Sequence, residues 1–186
     1  MPHGKRIHHH SAGFTLMEVL VATVVLLIGI VAVAQLVPVS VGLDANNRRD
    51  TTALVIAQRE MDALMSQPIG STTFTDPQGV TCPAAAICNL GVVVGAVANA
   101  PVLAGSTIIP NIGGRPYINY NAATVAGYNF LYADPNDPSG SYDIRWAVIT
   151  YGNAGVAYGK RFIVGVRKAE GNGFFVPISL DSMVEK

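Results

Sequence analysis

The sequence predicts an α+β fold, a long N-terminal helical spine packed on a small antiparallel β-sheet head. Three observations carry that expectation. Residues 14–37 form an apolar run interrupted by one charge, Glu18. Residues 44–66 place apolar side chains near helical spacing, and from Pro68 onward short apolar stretches alternate with turn formers. A helical block followed by a block of strands is the pattern of segregated α+β chains. The length of 186 residues suits one domain with an appended helix. Half the residues are apolar and only 13% are charged, an excess concentrated in residues 14–37. Twelve basic residues balance twelve acidic ones, so no net field draws in nucleic acid and no specific nucleic-acid partner is expected.

Residues 1–13, MPHGKRIHHHSAG, are polar and carry Lys5 and Arg6. The run His8-His9-His10 has no carboxylate or cysteine beside it and reads as part of a polar leader rather than a metal site. Residues 14–37 would make a helix of roughly 36 Å, enough to cross a hydrocarbon core of about 30 Å. Lys5 and Arg6 would hold the N-terminal flank in the cytoplasm and leave the remainder beyond the membrane. Glu18 does not fit a plain anchor. One reading makes it an interfacial acid favoured by the positive end of the helix; the other makes it a carboxylate awaiting a positive partner. A competing organisation has Ala32-Val33-Ala34 as a signal-peptidase site that releases a secreted domain after Ala34. Against it, the apolar stretch is longer than the usual 7–15 residues or so and opens with an acid.

The spine continues over residues 38–67. Pro38 removes a helical N–H and predicts a kink or local melting there. Leu54, Ala57, Met61, Leu64 and Met65 share one predicted face. Arg48, Arg49, Asp50, Arg59, Glu60 and Asp62 read as solvated charges, and Pro68 ends the helix.

The head is expected over residues 68–186. Turn formers cluster at 77–79, 111–114 and 134–138, and apolar stretches at Gly91–Val97 and Tyr128–Tyr132 are candidate strands. In residues 142–151, Tyr142, Ile144, Trp146 and Val148 alternate with Asp143, Arg145 and Ala147, the period of a half-buried strand. A turn at Gly152–Gly155 leads to residues 160–168, with Phe162, Val164 and Val166 on one face. Residues 173–180 form a third strand, with Pro177 at its edge or end. Cys82 and Cys88 would close a small disulfide loop in an oxidising compartment and remain two thiols in a reducing one.

The string Gly13-Phe14-Thr15-Leu16-Met17-Glu18-Val19-Leu20 resembles the prepilin cleavage and methylation motif of type IV pilin-like proteins. The resemblance implies a pilin fold, cleavage by prepilin peptidase between Gly13 and Phe14, and N-methylation of Phe14. It makes Glu18 the assembly acid, the fifth residue counting from Phe14. It also implies a single-pass inner-membrane protein with an extracytoplasmic, periplasmic head, hence a Cys82–Cys88 disulfide, and other pilin subunits as partners in an extracellular pilus or periplasmic pseudopilus. Residues 53–68 and the three C-terminal strands resemble PilV-like minor pilins, which prime or modify pilus assembly. The I-type pseudopilins of type II secretion share the first of these regions and are the alternative.

Catalytic chemistry is not expected. All four histidines lie within residues 1–13, which removes Ser-His-Asp and Cys-His constellations from the remainder. Asp134, Asp137 and Asp143 lack the spacing of a calcium loop and suit tight turns. No enzyme activity, cofactor or metal is predicted.

Overall fold

A computed structural model describes residues 13–92, 100–110, 113–135, 140–169 and 176–185. The leader up to Ala12, most of the predicted strand at Gly91–Val97, Asn111, Ile112, Asp137 and residues 173–175 lie outside them. One helix, α1 (Leu16–Met65), precedes nine strands: β1 (Thr73–Thr75), β2 (Ile87–Asn89), β3 (Val102–Gly105), β4 (Ile108–Pro110), β5 (Pro116–Ile118), β6 (Asn129–Ala133), β7 (Ser141–Asn153), β8 (Val156–Lys168) and β9 (Ile178–Glu185). The chain divides into two compact units, residues 1–46 and 47–186.

In the first unit the apolar side chains of α1 ring the helix and none is covered. Every large one from Phe14 to Leu43 is exposed, Val24 least at 47%. The helical turns continue on both sides of Pro38. Thr23 returns its hydroxyl to the carbonyl of Leu20 at 2.8 Å, which satisfies it without solvent.

In the second unit the remaining turns of α1 bury Ala53, Ile56, Ala57, Glu60, Met61 and Leu64. The expected face is corrected at two positions. Leu54 is exposed, whereas Ala53 and Ile56 point inward, and Glu60, read as solvated, is 1% exposed. The residues at 53, 57, 60 and 64 follow one helical stripe, and its apolar members share one core with residues of the sheet and of the Cys82–Leu90 segment.

That sheet has five strands. β7 and β8 form a long hairpin, β9 lies beyond β8, and β3 and β6 pair with different stretches of the free side of β7. The hairpin turn uses Ala154 and Gly155, both with positive φ, as a two-residue turn of this hand requires. Tyr142, Ile144, Trp146, Val148, Phe162, Val164 and Val166 face α1 in the main core. Trp146 donates its indole N–H to the carbonyl of Asn89 at 2.8 Å and lies against the rings of Tyr128 and Phe130. The alternation along residues 142–148 is present, yet the strand is buried on both faces rather than half-buried. The β4–β5 hairpin covers the second face, where Ile118 and Tyr120 pack on Ala147 and Ile163. Gly165 permits that approach, since a Cβ there would lie 2.8 Å from the Ile118 side chain. The last strand starts at Ile178, later than residues 173–180 suggested, directly after Pro177, which has no N–H for the ladder.

Cys82 and Cys88 form a disulfide with Cα atoms 6.2 Å apart, and both side chains sit in the main core beside α1. Arg59 ties the same loop to the helix. Its Nη2 donates to the carbonyl of Val80 at 2.8 Å and to Glu60 Oε1 at 3.1 Å, and its guanidinium stacks 4.7 Å from the Tyr132 ring. Burial pushes the Glu60 carboxyl up to about 7, against the opposing pull of Arg59.

Two predictions follow from this packing. Replacing both cysteines by Ala is expected to lower stability by about 2 kcal/mol, the loop-closure value for so short a ring. Equal denaturation midpoints with and without reductant would rule the bridge out as a stabilising element. For Glu60, the folded state keeps a proton between pH 4.5 and about 7 that the unfolded state has released. Stability therefore falls as pH rises through that window, on the order of 1–3 kcal/mol in total. Glu60→Gln should flatten the dependence. Denaturation at pH 5 and pH 8 for both proteins measures it.

Candidate functional site

Charged and polar groups in the head are used internally. Asp76 accepts the N–H groups of Gln78, Val80 and Thr81 at 2.9, 2.7 and 2.7 Å and the Thr81 hydroxyl at 2.8 Å. Those bonds, the Thr81 N–H foremost, hold its carboxyl down at about 2. This is a closed turn next to the disulfide, with its acceptor capacity directed at its own backbone.

A second cluster lies on the outer face of the sheet. Arg145 grips the Asp143 carboxylate through Nε at 3.1 Å and Nη2 at 2.8 Å, and its Nη1 donates to the carbonyl of Ala122 at 2.9 Å. Arg167 reaches Asp143 at 3.4 Å. The Tyr120 hydroxyl donates to the Asp143 carbonyl at 3.2 Å, and its ring lies 4.9 and 4.5 Å from the two guanidinium groups. Burial, with the Asp143 charge behind it, pushes the phenol well above its ordinary range. The cluster pins the segment after β5 onto the sheet. Lys160, whose ammonium is pushed down by burial, donates to the carbonyl of Ser71. Among the described residues no three His, Cys, Asp or Glu side chains gather as metal ligands would. Asp143 is committed to two arginines.

A different arrangement lies at the N-terminal end of α1. Gly13, Phe14 and Thr15 are non-helical, and the helix begins at Leu16. Thr15 is its N-cap: Oγ1 accepts the N–H of Glu18 at 3.2 Å, and its carbonyl accepts the N–H groups of Glu18 and Val19 at 3.0 and 3.2 Å. Phe14 is 81% exposed, and a Cβ on Gly13 would meet nothing within 4 Å. Phe14 and Glu18 border a shallow open groove that continues along Val19, Ala22, Thr23 and Leu26. The segment thus presents an accessible Gly–Phe peptide bond outside the helix and, one turn on, a carboxylate among apolar side chains.

Of the residues singled out from sequence, Gly13, Phe14 and Glu18 come together in this segment, while Pro38, Cys82 and Cys88 lie elsewhere in the chain. Sequence reasoning passed over Thr15, although Thr-x-x-Glu before an apolar run is the signature of a capping box.

Residues 8–34 match the family described as the prokaryotic N-terminal methylation motif. The match is confined to the N-terminal part of the chain and contains Gly13, Phe14 and Glu18. No curated protein and no solved structure matches the chain. The chain therefore carries a methylation motif at the start of an apolar helix long enough to cross a membrane.

Proposed function

We propose that this chain is a structural subunit of a type IV pilus-like filament, made as a prepilin. The observation that carries the reading is the coincidence of the methylation motif with an exposed Gly13–Phe14 bond at the head of an uncovered apolar helix. Prepilin peptidase removes residues 1–13 and methylates the new amine on Phe14. The apolar helix rests in the inner membrane with the head on the periplasmic side, then packs among the helices of other pilin subunits. The alternative, a secreted domain released after Ala34, is separated from this reading by detection of N-methyl-phenylalanine at the mature terminus.

In the assembled helices the Phe14 amine of one subunit meets Glu18 of a neighbour. A lone buried charge is heavily penalised and a paired one is tolerated, so the pair sets axial register more than it adds stability. No catalytic role is assigned. Within this reading the subunit is a PilV-like minor pilin that primes or modifies assembly, on the strength of residues 53–68 and the C-terminal strands. Its abundance in sheared filaments separates that role from a major subunit.

Two substitutions test the core of the proposal. Gly13→Val is expected to leave the leader attached, because a branched side chain does not fit a pocket selective for glycine; mass spectrometry of the purified chain reads this directly. Glu18→Gln keeps the backbone N–H that Thr15 Oγ1 accepts and removes only the charge. Membrane insertion should be retained, since a neutral residue enters lipid more easily than an acid. Incorporation into filaments should fall, by as much as about 3–5 kcal/mol for a fully buried pair. Equal amounts of both proteins in sheared filaments, at equal expression, would reduce Glu18 to an interfacial acid.

A further inference from the structure

The start of α1 falls two residues after the bond to be cut, and a single side chain sets it there. We infer that Thr15 is a positioning residue for leader removal: as N-cap it stops the helix short of Gly13–Phe14 and keeps that bond outside it for the peptidase. The inference rests on the reading that the chain is cut between Gly13 and Phe14.

Hydrolysis adds water across the Gly13–Phe14 amide, leaving a carboxylate on Gly13 and an amine on Phe14. The carbon attacked belongs to the Gly13 carbonyl, so that carbonyl must be free to be polarised and approached. In the structure it is free of the helix. The first backbone carbonyl engaged by α1 is that of Thr15, which accepts from Glu18 and Val19. The Thr15 hydroxyl takes the Glu18 N–H, one of the donors that a helix start leaves without an internal partner.

The sequence offers two alternative starts nearby. Gly13 can itself serve as an N-cap, and Ser11 lies two residues further upstream, followed by Ala12, which favours helix. A helix capped at Ser11 would carry Gly13 and Phe14 in its first turn, and the Gly13 carbonyl would accept the N–H of Met17 in the i to i+4 pattern. The scissile carbonyl would then be hydrogen-bonded inside the helix and shielded by the following turn. Continuity with the long helix that follows favours this extension, because each residue added to an existing helix gains a backbone hydrogen bond without a new nucleation cost. Thr15 opposes it by satisfying the donors locally. Its side chain acts through backbone conformation and does not need to touch the reacting atoms.

The test uses the full-length chain in membranes containing prepilin peptidase, with the initial rate of leader loss read by mass shift. Thr15→Ser and Thr15→Asn, which both cap but differ in shape, are expected to be cut at the wild-type rate. Thr15→Ala is expected to be cut about fivefold to tenfold more slowly, the population ratio that loss of one N-cap corresponds to. In the detergent-solubilised full chain, amide exchange at residues 15–17, whose N–H groups the longer helix would bond, should slow in Thr15→Ala and stay unchanged in Thr15→Ser. Cutting of Thr15→Ala at the wild-type rate overturns the inference alone. So does Thr15→Asn as slow as Thr15→Ala, since that result would mean recognition of the threonine side chain itself. Wild type that remains uncut overturns the underlying reading and this inference with it.

Discussion

An apolar helical surface without any protein cover is the constraint from which the rest follows. From Phe14 to Leu43 the large apolar side chains are exposed in every direction, and such a surface is not stable in water. Lipid is one cover, but its dimensions do not fit the whole length. The helical residues from Leu16 to Leu43 extend about 42 Å, against a hydrocarbon core of about 30 Å. Fitting all of them into the core would need a tilt of about 45°, beyond the usual range of up to about 40°. Val39, Val41 and Leu43, past Pro38, are therefore left for a second apolar surface. A neighbouring helix of the same kind would supply one, which is the physical argument behind the proposal that the chain is a subunit.

The head solves the opposite problem. It carries buried charge in a unit whose surface must face water, and the charges are turned inward as fasteners. Asp76 closes its own turn, Arg59 connects the helix to the disulfide loop and to β6, and Asp143 joins two arginines beneath Tyr120. The last two tie segments with little regular structure to the helix or sheet. The loops around β1, β2 and β5 are anchored by Cys82, Cys88, Leu90, Ile118 and Tyr120 in the cores, and these polar contacts add to that. That use of charge leaves the acids and bases of these clusters engaged with each other rather than offered to a substrate.

The spine and the long hairpin were legible because their signals are periodic. An unbroken apolar run specifies a helix in lipid, and the alternation from Tyr142 to Val148 specifies a strand by its period of two. The two-sided burial of β7 was not legible, because the hairpin that covers its outer face is far off in sequence and its short strands carry no clear period. Asp143 and Arg145 look solvent-facing until Tyr120 and Ala122 are placed over them. Glu60 was missed for a related reason: as a charge it was assigned to the surface, although its spacing from Ala53, Ala57 and Leu64 puts it on the inner stripe. The Gly13-to-Glu18 string was the strongest local signal in the chain. What it concealed was conformational, since the same Thr15 and Glu18 that belong to the motif also set where the helix begins.

That double use bears on the order of events in the proposed pathway. In the uncut chain the nitrogen of Phe14 belongs to an amide and has no charge, so Glu18 has no cation to meet at the N-terminal end of a neighbouring helix. Near the membrane face the acid is nonetheless tolerable, because it sits in the first turn of α1 where the helix dipole and the free N–H groups favour negative charge. Packing uncut chains into an apolar bundle would withdraw that water-accessible setting and return no ion pair, the arrangement that burial penalises most. Cutting changes the balance by creating the missing charge at the right height, one turn from the acid. On the proposed reading leader removal would be more than trimming: it would supply the partner that lets Glu18 leave the interface, and the chain would become competent to assemble only after it.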